Sequence, residues 1–205
     1  MIIYQKLIKK ACVFGACFFI ILLTSCKREK QYVKVSEVSI LEGIYKNKLQ
    51  LAIINLDSLL AVKSLKRKQF FYKKARTAFK QLEPILAFTD KSNYKSLNAP
   101  NILKVEEEDA TDIKINQPFG FQVIEELLYD DEVNEGQIDR VVNKTKKRLG
   151  LIENNVKLNL KRYHVLWLLR DAIVRVAVTG ITGFDSPVLE QSLQESNVVY
   201  TAIEK

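Results

Sequence analysis

The stretch SEVSILEGIYKNKLQLAIINLDSLLAV, residues 36–62, reads as one helix and sets the fold class. Val38, Leu41, Tyr45, Leu49, Ala52, Leu56 and Leu59 recur at steps of three and four. That spacing lines side chains along one face of an α-helix. Ser36 suits the N-cap, and Glu37 and Glu42 lie near the positive end of the helix dipole. Ile40, Ile44, Leu51 and Ile54 widen the stripe, which predicts a helix buried on more than one side.

The same period continues along the chain. Residues 65–88 form a second helix with Phe71, Ala75, Ala78, Leu82 and Ile85 on its inner face. Lys66, Arg67, Lys68, Lys73, Lys74, Arg76 and Lys80 make the rest of it basic, and Pro84 predicts a kink or restart because it removes a backbone donor. A third helix follows Pro118 and ends near Tyr129, where Asp130, Asp131 and Glu132 oppose its dipole. The fourth starts at Asn134, with Gln137 in a capping-box position, and its stripe runs through Ile138, Val142, Thr145, Leu149, Ile152, Val156, Leu160, Tyr163 and Trp167. Unbroken to Val178, with a soft point at Gly150, it would be about 60 Å long. A turn at 180–185 leads to a last helix capped by Ser186, with Pro187 at its first position.

Between the second and third helices, residues 90–117 carry Asp90, Asn98, Pro100, Asn101 and an acidic run from Glu106 to Asp109. They read as one long, ordered but irregular loop, pinned by Tyr94, Leu97, Ile102, Leu103 and Val105. With Gly and Pro scarce, at seven and four residues, the expected architecture is an all-α, up-and-down bundle of about five helices over residues 36–205. The last helix runs to Lys205 without a C-cap glycine, which suits either a frayed end or a truncated C-terminus.

Upstream, residues 1–25 read as a lipoprotein signal peptide. Lys6, Lys9 and Lys10 precede an apolar run from Ala11 to Leu23, and Leu23-Thr24-Ser25-Cys26 fits a small-residue cleavage site followed by an acylated cysteine. As a helix the run spans about 20 Å, short of the roughly 30 Å of a bilayer core. The reading is an exported, membrane-anchored, periplasm-facing chain held by lipid on Cys26, with 26–35 as a tether. Loss of the three leader lysines takes the net charge from +8 to +5. Basic character raises nucleic acid as a partner, but export argues against it, so a solvated face or an acidic partner fits better.

Cys12 and Cys17 fall in the leader, so after Cys26 no thiol remains for a disulfide, a nucleophile or a thiolate metal site, and no C-x-x-C-H occurs. No nucleophile–base pair and no phosphate-binding glycine loop stands out, so no catalytic or metal residue is assigned. His164, the single histidine, reads as a packed or half-exposed residue; a ligand role would need Glu125, Asp171 or Asp185 beside it. Glu106 to Asp109 with Asp112 lack the calcium-loop pattern and read as solvated. Arg170, Asp171 and Arg175 read as a salt-bridge set. Gln122 and Glu125, three apart on an otherwise apolar helix, point to an interior hydrogen-bond network; the alternative is that Glu125 and Glu126 are solvated.

YKKARTAFKQLEP at 72–84, QPFGFQVIEE at 117–126 and GITGFDSP at 180–187 together resemble the N-terminal helical region of exported di-haem cytochrome-c peroxidases of Bacteroidetes. The likeness covers most of residues 37–205. It implies a non-haem module that works with two haem domains, which reduce hydrogen peroxide with electrons from a small cytochrome. This chain stops before any haem motif, so no catalytic residue carries over and haem c is expected only in a missing or separate domain. It is then a stand-alone module or the product of a truncated gene. The basic helix, through Lys66, Arg67, Lys73, Lys74, Arg76 and Lys80, would be the face that docks a di-haem domain or the small cytochrome. The same region is similar to imelysin-like proteins, exported bundles linked to metal binding or peptidase activity, whose signature is G-x-H-x-x-E. Here the frame is Gly120, Gln122 and Glu125, and a glutamine amide is a poor substitute for imidazole at a transition metal. A binding lipoprotein unrelated to redox chemistry is the third reading.

Overall fold

Tyr45, Leu49, Ala52, Leu56 and Leu59 are all buried, so the stripe read from 36–62 is the inner face of the first helix, α1 (Val35–Ala61). Only that face is covered. Ile40, Ile44, Leu51 and Ile54 are exposed, contrary to the expected burial on two sides, because α1 packs chiefly on two neighbours, α2 (Leu65–Thr89) and α5 (Glu135–Asn155), which occupy the same side of it. The computed structural model describes residues 35–109 and 112–204, and of 35, 36, 106–109, 112 and 113 the backbone alone. The leader, Cys26 and the tether as far as residue 34 therefore lie outside the described residues.

The fold is helical, as expected, with seven α-helices among the described residues rather than about five. α2 runs on through Pro84 without restarting. Leu82, Ile85 and Leu86 clamp the turns on either side in the core, which outweighs the one lost backbone bond. Residues 90–117 are not an irregular loop. Asp90 accepts the Asn93 backbone N–H and caps a short helix, α3 (Lys91–Leu97). An antiparallel hairpin follows, β1 (Lys104–Asp109) with β2 (Asp112–Asn116), its register shifting between Glu107 and Asp109. Leu97 is buried and Tyr94 packs on the core, but Ile102, Leu103 and Val105 are exposed and do not pin the segment.

α4 (Phe121–Tyr129) lies where the sequence places it. It starts at Gly120, whose φ of 118° belongs to the left-handed region, and a Cβ there would stand 2.4 Å from the Leu97 carbonyl oxygen. Only glycine allows α3 and α4 to approach so closely. The Gly120 N–H donates to Thr145 Oγ1 at 3.1 Å, which ties the start of α4 to α5.

The long fourth helix is two. α5, capped by Asn134 through the Gln137 N–H, passes through Gly150 and stops at Asn155. The chain is extended at Val156 and resumes as α6 (Arg162–Arg175). The break is a tertiary effect: Leu158 N–H donates to Glu42 on α1, and Val156 and Leu158 pack on the core. α6 passes into a π turn (Val176–Gly180), where a Cβ on Gly180 would meet Ser196 Oγ at 2.6 Å. The last helix, α7 (Ser192–Glu204), begins six residues after Ser186, so Ser186 and Pro187 do not start it. Glu190, at φ 53°, turns the chain instead. α2 is the hub: it packs against α1, α3, α4, α6 and α7. No described helix is long and apolar enough to cross a membrane.

Candidate functional site

Lys68, Tyr72, Arg76, Lys80 and Glu83 fall on one buried strip of α2, next to its apolar stripe. A buried charge is tolerated only when paired and hydrogen-bonded, and each is. Lys68 pairs with Glu135. The Arg76 guanidinium forks onto Glu195 of α7, with Nε to Oε1 at 2.7 Å and Nη2 to Oε2 at 2.9 Å. It also donates to the Asp185 carbonyl at 2.6 Å and to Asn98 Oδ1 at 2.9 Å. The Lys80 ammonium sits among three carboxylates: Asp185 at 2.6 Å, Glu83 at 2.8 Å and Glu195 at 3.5 Å.

The network extends outward on both sides. Tyr94 donates to Glu83 Oε1 at 3.0 Å, and Arg175 stands 3.9 Å from the same oxygen. Asn98 donates to Asp185 Oδ1 at 2.9 Å, and Gln122 donates to the Asn98 carbonyl at 3.2 Å. Glu125 is fully buried. Its Oε2 accepts from the Tyr72 hydroxyl at 2.9 Å; its Oε1 accepts from Ser186 Oγ at 3.0 Å and from the Val188 and Leu189 backbone N–H groups at 3.1 and 3.0 Å. Gln122 and Glu125 thus belong to an interior network, and Glu125 is not solvated; Glu126 is half-buried and binds Asn101.

Electrostatics follow the geometry. Burial alone would raise the Asp185 pKa, but the Lys80 ammonium, then Arg76 and the Asn98 amide, bring it below the ordinary carboxylate value. Burial opposes the charge on Lys80 and Arg76. Glu83 on the one, Glu195 on the other, and Asp185 on both outweigh it and hold each above its ordinary value. Burial pushes the Tyr72 phenol well above its usual range, with Glu125 and Glu195 adding to the effect.

Such a cluster holds elements together and is poorly suited to proton transfer, since its carboxylates are engaged by donors or cations. One cavity against it, lined by Tyr72, Arg76, Lys80 and Glu195 among others, measures about 80 Å³, below the roughly 300 Å³ at which ligand pockets begin. An open groove on its other side, lined by Tyr94, Asn98 and Asp185 among others, measures about 510 Å³.

The expected docking face needs correction. Lys66, Arg67, Lys73 and Lys74 are exposed, but Arg76 and Lys80, at 3% and 2% exposure, belong to the interior. His164 is half-buried at the start of α6, where its Nδ1 accepts the Lys161 N–H and its ring lies 6.1 Å from that of Phe88. It is not a partner of Glu125 or Asp185, and Asp171 pairs with Arg170 at the surface. Arg175 leaves that set to lie over the Tyr94 ring. Among the described residues no group of three or more His, Cys, Asp or Glu is placed to hold a metal ion. Asn98 reads from sequence only as a loop residue, and Glu195 carries no sequence signal of its own. The one signal for them was the presence of cations on the inner strip of α2, which demands acceptors. No family model, no curated protein and no solved structure matches the chain.

Proposed function

We propose that this chain is a non-catalytic docking module: a lipid-anchored, periplasm-facing helical accessory domain of a cytochrome-c-peroxidase-type system, attached through Cys26. The observation that carries the reading is a surface. Lys66, Arg67, Phe70, Lys73 and Lys74 share one outward strip of α2, with the Lys74 ammonium 4.6 Å from the centre of the exposed Phe70 ring. Four cations around an exposed aromatic ring suit an acidic protein face, which charge would steer and the ring would anchor. The three sequence stretches that resemble the peroxidase N-terminal region supply the identity of the partner, a di-haem domain or a small cytochrome.

The imelysin-type metal or peptidase reading has less support, because both Glu125 oxygens are already taken by internal donors and the Gln122 amide donates to a backbone carbonyl. The test is capture from a periplasmic extract of the source organism, with covalent haem detected by peroxidase staining. A haem-c protein retained at low salt, released at high salt and lost with Lys73→Glu/Lys74→Glu is the expected result. Retention of no haem protein, or peroxide consumption by the chain alone, overturns it. Tight binding of iron or zinc abolished by Glu125→Ala points to the imelysin reading instead.

A further inference from the structure

α6 and the π turn bury one side only. Leu168, Ala172, Val176 and Gly180, four apart, face the bundle. The opposite side is apolar except for Arg170: Tyr163, Leu166 and Trp167 on the first turns, Ile173 and Val174 in the middle, Val178 and Ile181 at the end. Leu166 is 69% exposed and Trp167 49%. The strip is about 27 Å long. An apolar face of this extent marks an interaction surface rather than scattered exposure.

Charge selects the occupant. Between residues 157 and 184 the chain carries five cations and one acid; of the cations, Arg175 turns inward toward Glu83 and Tyr94, which leaves four on the outer side. The acid, Asp171, is paired with Arg170, and the Arg170 guanidinium lies 4.1 Å from the centre of the Trp167 ring. Lys157, Lys161 and Arg162 cluster at the N-terminal end of the strip. At its other end opens a groove of about 510 Å³, walled by Pro100, Ile102 and Phe184, with Lys95 and Lys104 also lining it. A Trp and a Tyr among aliphatics, bordered by Lys and Arg, is the composition of a helix that lies in a membrane interface. A second copy is disfavoured: in a two-fold contact the same patch meets itself, and Arg170, near mid-strip, would face its own equivalent.

We propose that the outer face of α6 and the π turn docks on an anionic lipid surface. Aliphatic side chains enter the acyl boundary, Tyr163 and Trp167 sit at headgroup depth, and the flanking cations engage lipid phosphates. This contact goes beyond the docking role of α2 and stands apart from acylation at Cys26, because it is made by the folded body.

Trp167 is the single tryptophan of the chain, so its fluorescence reports on this face alone. The full chain carrying Cys26→Ser, so that no lipid is attached, is titrated with phosphatidylcholine vesicles with and without phosphatidylglycerol. The expected result is a blue shift of Trp167 emission on anionic vesicles and quenching by brominated lipids, both weakened by salt. Arg170→Gln should weaken binding about fivefold. Leu166→Gln/Val178→Gln, both at exposed sites, should abolish the shift while circular dichroism stays unchanged. Vesicle binding with Trp167 emission unmoved overturns the proposal, as does equal binding to neutral vesicles. A blue shift that grows with protein concentration and needs no vesicles also overturns it, and assigns the face to self-association.

Discussion

The Lys80 ammonium lies 2.6 Å from Asp185 Oδ2, and both side chains are at 2% exposure. One residue is in the middle of α2 and the other is in the turn that leads to α7, so this pair closes a loop of more than a hundred residues. Removing Lys80 leaves Asp185 and Glu83 as buried carboxylates without their ammonium, whereas removing the Asp185 charge leaves Lys80 still paired with Glu83 and Glu195. Lys80→Met is expected to destabilise the fold by about 3–5 kcal/mol. Asp185→Asn should cost less, because Glu83 and Glu195 still face Lys80, and the double variant less than the sum, because the two act on one interaction. Urea unfolding of the three variants measures this; strict additivity would mean that the pair is not coupled.

Glu125 serves the same turn through its backbone. Glu125→Ala deprives Ser186, Val188 and Leu189 of their acceptor and leaves the Tyr72 hydroxyl only the Phe121 carbonyl. A loss of about 1–3 kcal/mol is expected. Amide hydrogen exchange at Val188 and Leu189 should accelerate more than exchange in α1. Unchanged protection at those two amides would show that the turn is held by something else.

Gly120→Ala is expected to destabilise the chain by about 1–3 kcal/mol or more. The substitution forces a side chain into φ 118° and drives its Cβ to 2.4 Å from the Leu97 carbonyl oxygen. Gly150→Ala, inside α5 with open space at its Cβ, should raise the melting temperature, since alanine gains up to about 1 kcal/mol over glycine in a helix. Thermal melts that rank the two variants the other way would contradict the packing described for α3 and α4.

Stability should fall at both pH extremes. The folded Asp185 pKa is lowered, so its contribution is complete above the unfolded carboxylate value of about 4 and is lost as pH falls through the folded value. The folded Lys80 pKa is raised, so its contribution is complete below about 10.5 and is lost as pH rises through the folded value. Tyr45, Tyr72 and Tyr94, raised chiefly by burial, act in the alkaline direction too. Denaturant titrations should show a plateau from about pH 5 to 9. Above pH 10, tyrosine ionisation followed by absorbance should lag behind exposed tyrosines and coincide with unfolding. Early ionisation of all eight tyrosines would contradict the burial.

Local signals located the helices well where the signal was itself local. The α1 stripe, the start of α2, the Asn134 cap and the span of α4 were legible because period, cap residue and acidic stop act over a few neighbouring residues. The expected helix through residues 155–162 failed because its apolar spacing continues across a break that Glu42, on another helix, helps to stabilise. Ser186 and Pro187 imitated a helix start, yet Ser186 Oγ is used on Glu125. The hairpin was hidden by its acidic strand, whose one apolar residue, Val105, faces solvent, as does Ile115 opposite it. For the candidate site, the pairing of Gln122 and Glu125 on one face was visible as an interior network. Arg76 and Lys80 were assigned to the surface because a basic run is ordinarily solvated.

Composition and period alone determined that the chain is helical, that its described body holds no thiol, and that α1 and α4 each present an apolar face, since these depend only on residue type and near neighbours. Which lysines and arginines are buried, where the long helix breaks, and which apolar stripes stay uncovered were decided by the tertiary structure. A charge can enter the interior only if a distant segment delivers its counter-charge to within about 3 Å, and Glu195 and Asp185, more than a hundred residues from Arg76 and Lys80, become neighbours only when the chain has folded.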